Sequence, residues 1–84
     1  MEKVTLIFYP HAAAKSKRTG NIPIYMRIIH NRQKAEIRLD VDCDERLLPL
    51  WNPHMMAFEQ KNNTVNDRIN FIRNEFNKLQ EAEH

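Results

Sequence analysis

The longest strict alternation of polar and apolar residues in the chain is Lys34-Ala-Glu-Ile-Arg-Leu-Asp-Val41. Side chains on a strand point alternately to opposite faces. Ala35, Ile37, Leu39 and Val41 therefore share one face, and Lys34, Glu36, Arg38 and Asp40 the other. This is the pattern of a half-buried antiparallel strand. Upstream, Ile22-Pro-Ile-Tyr-Met-Arg-Ile-Ile29 sorts the same way, with Ile24, Met26 and Ile28 opposed to Tyr25, Arg27 and Ile29. His30-Asn-Arg-Gln33 joins the two runs, and Asn31 tolerates the left-handed backbone that short hairpin loops require. Ile22–Val41 is thus predicted to be a β-hairpin. Val4-Thr-Leu-Ile-Phe-Tyr9 reads as a further strand, with Val4, Leu6 and Phe8 on one face and Thr5, Ile7 and Tyr9 on the other. Pro10, which has no N–H to give to a ladder, ends it. The loop His11–Asn21 follows; it contains Gly20, the only glycine, at the approach to the next strand. Antiparallel pairing of this strand with the first hairpin arm makes a three-stranded meander.

Three strands need cover on one face to be stable. Val65, Ile69, Ile72, Phe76 and Leu79 recur at spacings of 4, 3, 4 and 3, which places them on one helical stripe. Thr64 is the expected N-cap, with Asp67 three residues on as an acidic capping box. A helix over Thr64–Glu81 would be roughly 27 Å long. Its stripe is expected to pack on Ile24, Met26, Ile28, Ile37 and Leu39. Phe71 falls off the stripe, free for a loop or a neighbouring domain. Asp42–Asn62 is irregular: Leu50 and Trp51 are assigned to the core, and Met55-Met56 to gap-filling. The expected fold class is α+β, a three-stranded antiparallel β-sheet packed on one C-terminal α-helix.

Eighty-four residues make one domain with a thin core, burying roughly 60–65% of the unfolded surface. That leaves little room for an active site with a substrate pocket, so the chain is not expected to be an enzyme or to bind a small-molecule substrate. Cys43 is the single cysteine, which excludes an internal disulfide and a cysteine-based metal site. Its neighbours Asp42, Asp44 and Glu45 suppress the thiolate and make it a poor nucleophile. His11, His30, His54 and His84 lack metal-ligand spacing, and Asp40, Asp42 and Asp44 lack the glycine and terminal glutamate of a calcium loop. No cofactor or metal is expected. His84, at the very end, is open to assignment as a tag residue. No apolar run approaches the roughly 20 residues that span a bilayer, and Val4–Tyr9 is not followed by a secretory cleavage signature. A cytoplasmic location is expected.

Charge sharpens the picture. The net charge is +2, but residues 1–38 hold eight basic residues against two acidic, and residues 39–84 five basic against nine acidic. Such asymmetry points to one half that faces a polyanion and one that serves as scaffold. The outward sheet face would carry Tyr25, Arg27, Lys34 and Arg38, with Thr5 on the first strand. Arginine and lysine neutralise phosphates, arginine also forks onto guanine, and a major groove admits a small sheet. Tyr25 and Thr5 can donate to phosphate. Lys15, Lys17 and Arg18 on the loop and Arg32 at the hairpin add reach to the flanking backbone. Glu36, in the middle of this face, either holds Arg27 or Arg38 in place or accepts from a cytosine amino group.

The strings Pro23-Ile-Tyr-Met-Arg-Ile28 and Lys34-Ala-Glu-Ile-Arg-Leu39, the later Trp51-Asn-Pro53, and a helix opening Thr64-Val-Asn-Asp-Arg-Ile-Asn70 occur in that order. Together they resemble the N-terminal arm-type DNA-binding domain of tyrosine recombinases, the integrases of conjugative transposons and related mobile elements. The resemblance covers about Val4 to Leu79. It implies a three-stranded sheet docked in the major groove of arm-type sites in double-stranded DNA, with Tyr25, Arg27, Lys34, Glu36 and Arg38 facing the groove. It also implies that residues 1–84 form one domain of a longer recombinase, whose core-binding and catalytic domains lie elsewhere. One departure stands out. Where relatives commonly have Ser-Thr-Gly after the third strand, this chain has Leu39-Asp-Val-Asp-Cys43, and Asp40 and Asp42 would repel phosphate. That rim is expected to face away from DNA. Two rival readings remain at this level. One is a protein-interaction module using a sheet edge or the outer helix face around Phe71; the other is RNA binding.

Overall fold

The computed structural model describes residues 4–82; His84 lies outside them. The chain runs through β1 (Thr5–Pro10), a 3-10 turn (Ala12–Ala14), β2 (Asn21–His30), β3 (Gln33–Asp44), a second 3-10 segment (Glu45–Leu50), β4 (Trp51–Asn52), β5 (Ala57–Phe58) and α1 (Thr64–Ala82). β1, β2 and β3 form the expected antiparallel meander, and β4 pairs with β5 in a small separate ribbon. The fold is α+β, as the alternation and the helical stripe imply.

Register confirms the sorting of faces. Phe8 pairs with Met26 and Met26 with Ile37, while Ile7 pairs with Arg27 and Arg27 with Glu36. One side of the sheet is therefore apolar across all three strands. Its core is Phe8, Ile22, Ile24 and Cys43, closed over by Val65 and Ile69 of α1 and by Phe58 of β5. Each such side chain, once buried, contributes about 1.5–3 kcal/mol. Between Pro23 and Tyr25 the register slips, so that Leu39, Asp40 and Val41 stand against Ile24 alone. The slip is even, so Leu39, Val41 and Cys43 stay on the core side.

Several details depart from the sequence-based expectation. The hairpin loop is Asn31-Arg32 alone, since His30 already pairs with Gln33. Both loop residues have left-handed φ, 51° and 66°, the geometry that matches the twist of the strands. The helix does not cover the whole underside. Its second half runs beside β1, where Arg73, Phe76 and Gln80 border a groove of about 150 Å³ with Val4 and Leu6. Ile37, on the core side but at the far edge, is 44% exposed, and Leu79 is 68% exposed; the expectation that the stripe covers the strands as far as these two residues is corrected. Phe71 is exposed as its off-stripe position implies. Trp51 is half-buried and meets Phe58 edge-on at 5.0 Å. Met56 fills against the core and takes the outward N–H of Phe8 on its sulfur at 3.4 Å, whereas Met55 is exposed.

The helix start is also corrected. Asn63, not Thr64, is the N-cap: its Oδ1 accepts from Asn66 N at 3.0 Å, and its Nδ2 donates to Gln60 Oε1 at 2.8 Å. Asn66 then turns its amide onto β5, with Oδ1 accepting from Phe58 N at 2.8 Å and Nδ2 donating to Phe58 O at 2.9 Å. One side chain satisfies both backbone groups of a core residue and ties helix to ribbon. A further tie is Arg68 Nε to Asp40 Oδ1 at 3.0 Å, from α1 to β3. The chain leaves β3 through Asp44, whose carboxylate is gripped by the Arg46 side chain and backbone and is held down to about 2.

Asn66→Ala strands the N–H of Phe58, whose C=O keeps the Gln60 N–H at 2.8 Å, and should cost about 2 kcal/mol, lowering Tm by roughly 10 °C. Thr64→Ala, one residue past the cap, should cost under about 0.5 kcal/mol. Thermal melts followed by circular dichroism check both. Arg32→Gly relieves a left-handed non-glycine residue and should raise stability by about 1 kcal/mol, read by urea unfolding.

Candidate nucleic-acid interface

The outer face is built of three cross-strand rows. They are Thr5–Ile29–Lys34, Ile7–Arg27–Glu36 and Tyr9–Tyr25–Arg38. Six of the ten residues singled out from the sequence, Thr5, Tyr25, Arg27, Lys34, Glu36 and Arg38, share this face. The other four lie at its ends, with Arg32 on the hairpin tip and Lys15, Lys17 and Arg18 on the β1–β2 loop. β2 spans ten residues, or roughly 33 Å, so these cations flank the face at a separation near one turn of duplex DNA.

The loop that carries Lys17 and Arg18 is held by its own short bonds. Ser16 Oγ accepts from Arg18 N and Thr19 N, each at 3.2 Å. Ser16 O accepts from Gly20 N at 2.8 Å, and Ser16 N donates to Asn21 O at 2.9 Å. Gly20 takes φ 77°, a conformation that glycine adopts without steric cost. His11 N donates to Pro23 O at 2.9 Å and anchors the loop to β2.

Ion pairing divides the charges. Lys15 is engaged by Glu45, Arg46 by Asp44 at 2.9 Å and Arg68 by Asp40 at 3.0 Å. The acidic stretch after Arg38 is thus largely neutralised by local cations. Lys17, Arg18, Arg32, Lys34 and Arg38 are exposed and make no salt bridge among the described residues.

The centre of the face is different. Arg27 lies with Cζ 5.1 Å from the centroid of the Tyr9 ring and Nη2 3.8 Å from Glu36 Oε1. Its side chain is 35% exposed, that of Glu36 45%. Tyr9 reaches across β2 and donates its hydroxyl to Glu36 Oε2. That bond raises the Tyr9 phenol above its ordinary value, because ionising it would set a phenolate against a carboxylate. Tyr9 also belongs to an aromatic group with Tyr25 and His11, the His11–Tyr25 centroids being 4.6 Å apart. Tyr9 and His11 were not singled out from the sequence. For Tyr9 the signal was present, since parity places it on the face of Thr5 and Ile7. Glu36 thus stands beside Arg27, one of the two arginines it was expected to hold.

Cys43 is buried, and burial followed by Asp42 and Asp44 pushes its thiol up, against a role as nucleophile. Among the described residues no group of three or more His, Cys, Asp or Glu is placed to hold a metal ion, and no helix is long and apolar enough to cross a membrane.

A family model described as an arm DNA-binding domain matches residues 12–84. No curated protein and no solved structure matches the chain.

The Tyr9 proton gives a direct check on the central network. With its phenol raised in the fold, the contribution is present below the unfolded value near 10 and is lost as pH rises through the folded one. In a Tyr25→Phe background, Glu36→Gln should move the tyrosinate absorbance transition of Tyr9 down toward the ordinary value. An unmoved transition would show that the two groups do not interact.

Proposed function

The chain belongs to the arm DNA-binding domain family, and from that premise we propose that its outer sheet face docks in the major groove of double-stranded DNA. The domain is a non-catalytic DNA-binding one; how it engages DNA is what is proposed. The observation that carries the reading is the separation of charge. Five cations that make no salt bridge among the described residues, Lys17, Arg18, Arg32, Lys34 and Arg38, lie on or at the ends of one sheet face, while Asp40, Asp44 and Glu45 are each taken up by a cation of the chain. Such cations supply the salt-sensitive phosphate attraction. Arg27 and Arg38, projecting from the sheet, supply base-edge contacts. Thr5 and Tyr25 donate to phosphate, and Lys15 joins them only on leaving Glu45.

The parent protein, on this proposal, is an integrase-type tyrosine recombinase associated with the nucleoid. Residues 1–84 are its arm-site module, and its core-binding and catalytic domains perform the strand exchange. Sequencing the gene past the codon for His84 tests this part: a recombinase domain should follow.

Fluorescence titration of a labelled duplex tests the docking face. Arg27→Ala and Arg38→Ala should each weaken binding by about 1–3 kcal/mol, and Lys34→Ala should reduce the slope of log affinity against log salt by about one. Lys78→Ala, on the helix behind the sheet, should leave affinity unchanged. Matched RNA should compete poorly. If the two arginine variants bind as the wild type does, the sheet face is not the interface.

A further inference from the structure

The arrangement at the centre of the outer face runs against simple electrostatics. A surface that attracts phosphate places a carboxylate, Glu36, in its middle row and uses both oxygens internally, Oε2 on the Tyr9 hydroxyl and Oε1 toward Arg27. Removing that charge would strengthen non-specific attraction, so affinity alone does not account for it.

Arg27 is held on two sides. Its guanidinium lies over the Tyr9 ring. Glu36 stands at one Nη. Its Nε is buried and has no hydrogen-bond partner, so that donor is turned away from water and from any ligand. The donors left to a ligand are the terminal Nη pair, one of which faces Glu36. A free arginine samples many rotamers and serves any phosphate it meets; one fixed in a single pose offers two parallel donors at a defined height above the sheet. The fixing groups come from the flanking strands, Tyr9 from β1 and Glu36 from β3, so the pose depends on the sheet being assembled.

We infer that Tyr9 and Glu36 are positioning residues that fix Arg27 as a sequence-reading fork, so that this module gains discrimination among duplexes at the expense of raw affinity. The chemistry that suits such a fork is the paired acceptor edge of a guanine in the major groove. The inference rests on the docking proposed above, and deepens it by assigning a role to Glu36 opposite to that of a DNA contact.

The test is a selection from duplexes randomised over about 20 base pairs, using the whole chain as wild type, Glu36→Gln, Tyr9→Phe and Arg27→Lys. The enriched duplex and a scrambled duplex are then titrated at one salt concentration. The wild type should enrich a guanine at one position. Glu36→Gln and Tyr9→Phe should bind the scrambled duplex at least as tightly as the wild type but lose about tenfold in preference for the enriched one, the scale of one good bidentate contact. Arg27→Lys should show the same loss with an unchanged salt slope. The double variant Glu36→Gln/Arg27→Lys should lose no more than Arg27→Lys alone, as expected when one residue acts through another. Parallel weakening on both duplexes, or an unchanged consensus in Glu36→Gln and Tyr9→Phe, overturns the assignment while leaving the docking face standing. A wild type that binds no duplex overturns the docking itself, and this inference with it.

Discussion

The burial of Phe8, Ile22 and Ile24 beneath Val65 and Ile69 is the constraint on which everything else depends. A three-stranded sheet has two faces, and this chain has one helix to cover them. Once that helix sits on one side, the pleat sends every other residue of each strand to the opposite side. Ile24 in the core puts Tyr25 outside, and Phe8 in the core puts Tyr9 outside. The composition of the outer face thus follows from what the core requires. A slip of one residue in the pairing of β2 with β3 would bring Arg38 beneath the sheet and Ile37 out to solvent. The even register shift at Pro23/Tyr25 avoids that. It inserts extra residues into β3 while keeping Leu39, Val41 and Cys43 inside.

The same shift divides β3 into two electrostatic segments. Before it come Lys34, Glu36 and Arg38; beyond it come Asp42 and Asp44, with Asp40 in the bulged stretch. A bulge bends a strand and increases its twist. It therefore marks the place where a cation-bearing surface gives way to one joined to the scaffold through Arg68 and Arg46. The charge split of the sequence thus has a local counterpart within β3 itself.

How much of this the sequence revealed depends on the range of the interaction concerned. The faces of β3 and the helical stripe are local periodicities, and both were legible. So was the peripheral position of Phe71. The angle at which α1 crosses the sheet is a tertiary property with no local signature, and it decides that Ile37 and Leu79 stay exposed. The N-cap turned on a choice between two adjacent cap-forming residues, Asn63 and Thr64. Asn62 takes a left-handed φ of 55° just before the helix, and it is the Asn63 side chain that turns back over the first turn. The β4–β5 ribbon has two residues per strand, too few for any period, and is held by the Asn66 amide from outside itself. The Tyr9–Glu36 bond joins residues 27 apart across an intervening strand; parity placed both on one face, but only the assembled sheet sets their separation.

The central and peripheral cations of the outer face are therefore different kinds of group, although composition counts them alike. Arg32 and Lys34 near the tip, and Lys17 and Arg18 on the loop, are exposed and unpaired. Their attraction to phosphate is long-ranged and screened by salt. Arg27 is partly desolvated, packed on an aromatic ring and faced by a carboxylate. Its charge is largely compensated before any ligand arrives, and what it retains is geometry. Long-range attraction orients a duplex without regard to sequence; short-range geometry acts only once the groove is in place. The sheet keeps the two kinds of group apart, with exposed cations toward its ends and the compensated one at its centre. The hydroxyl of Tyr9, crossing from one outer strand to the other, ties the central group together across all three strands.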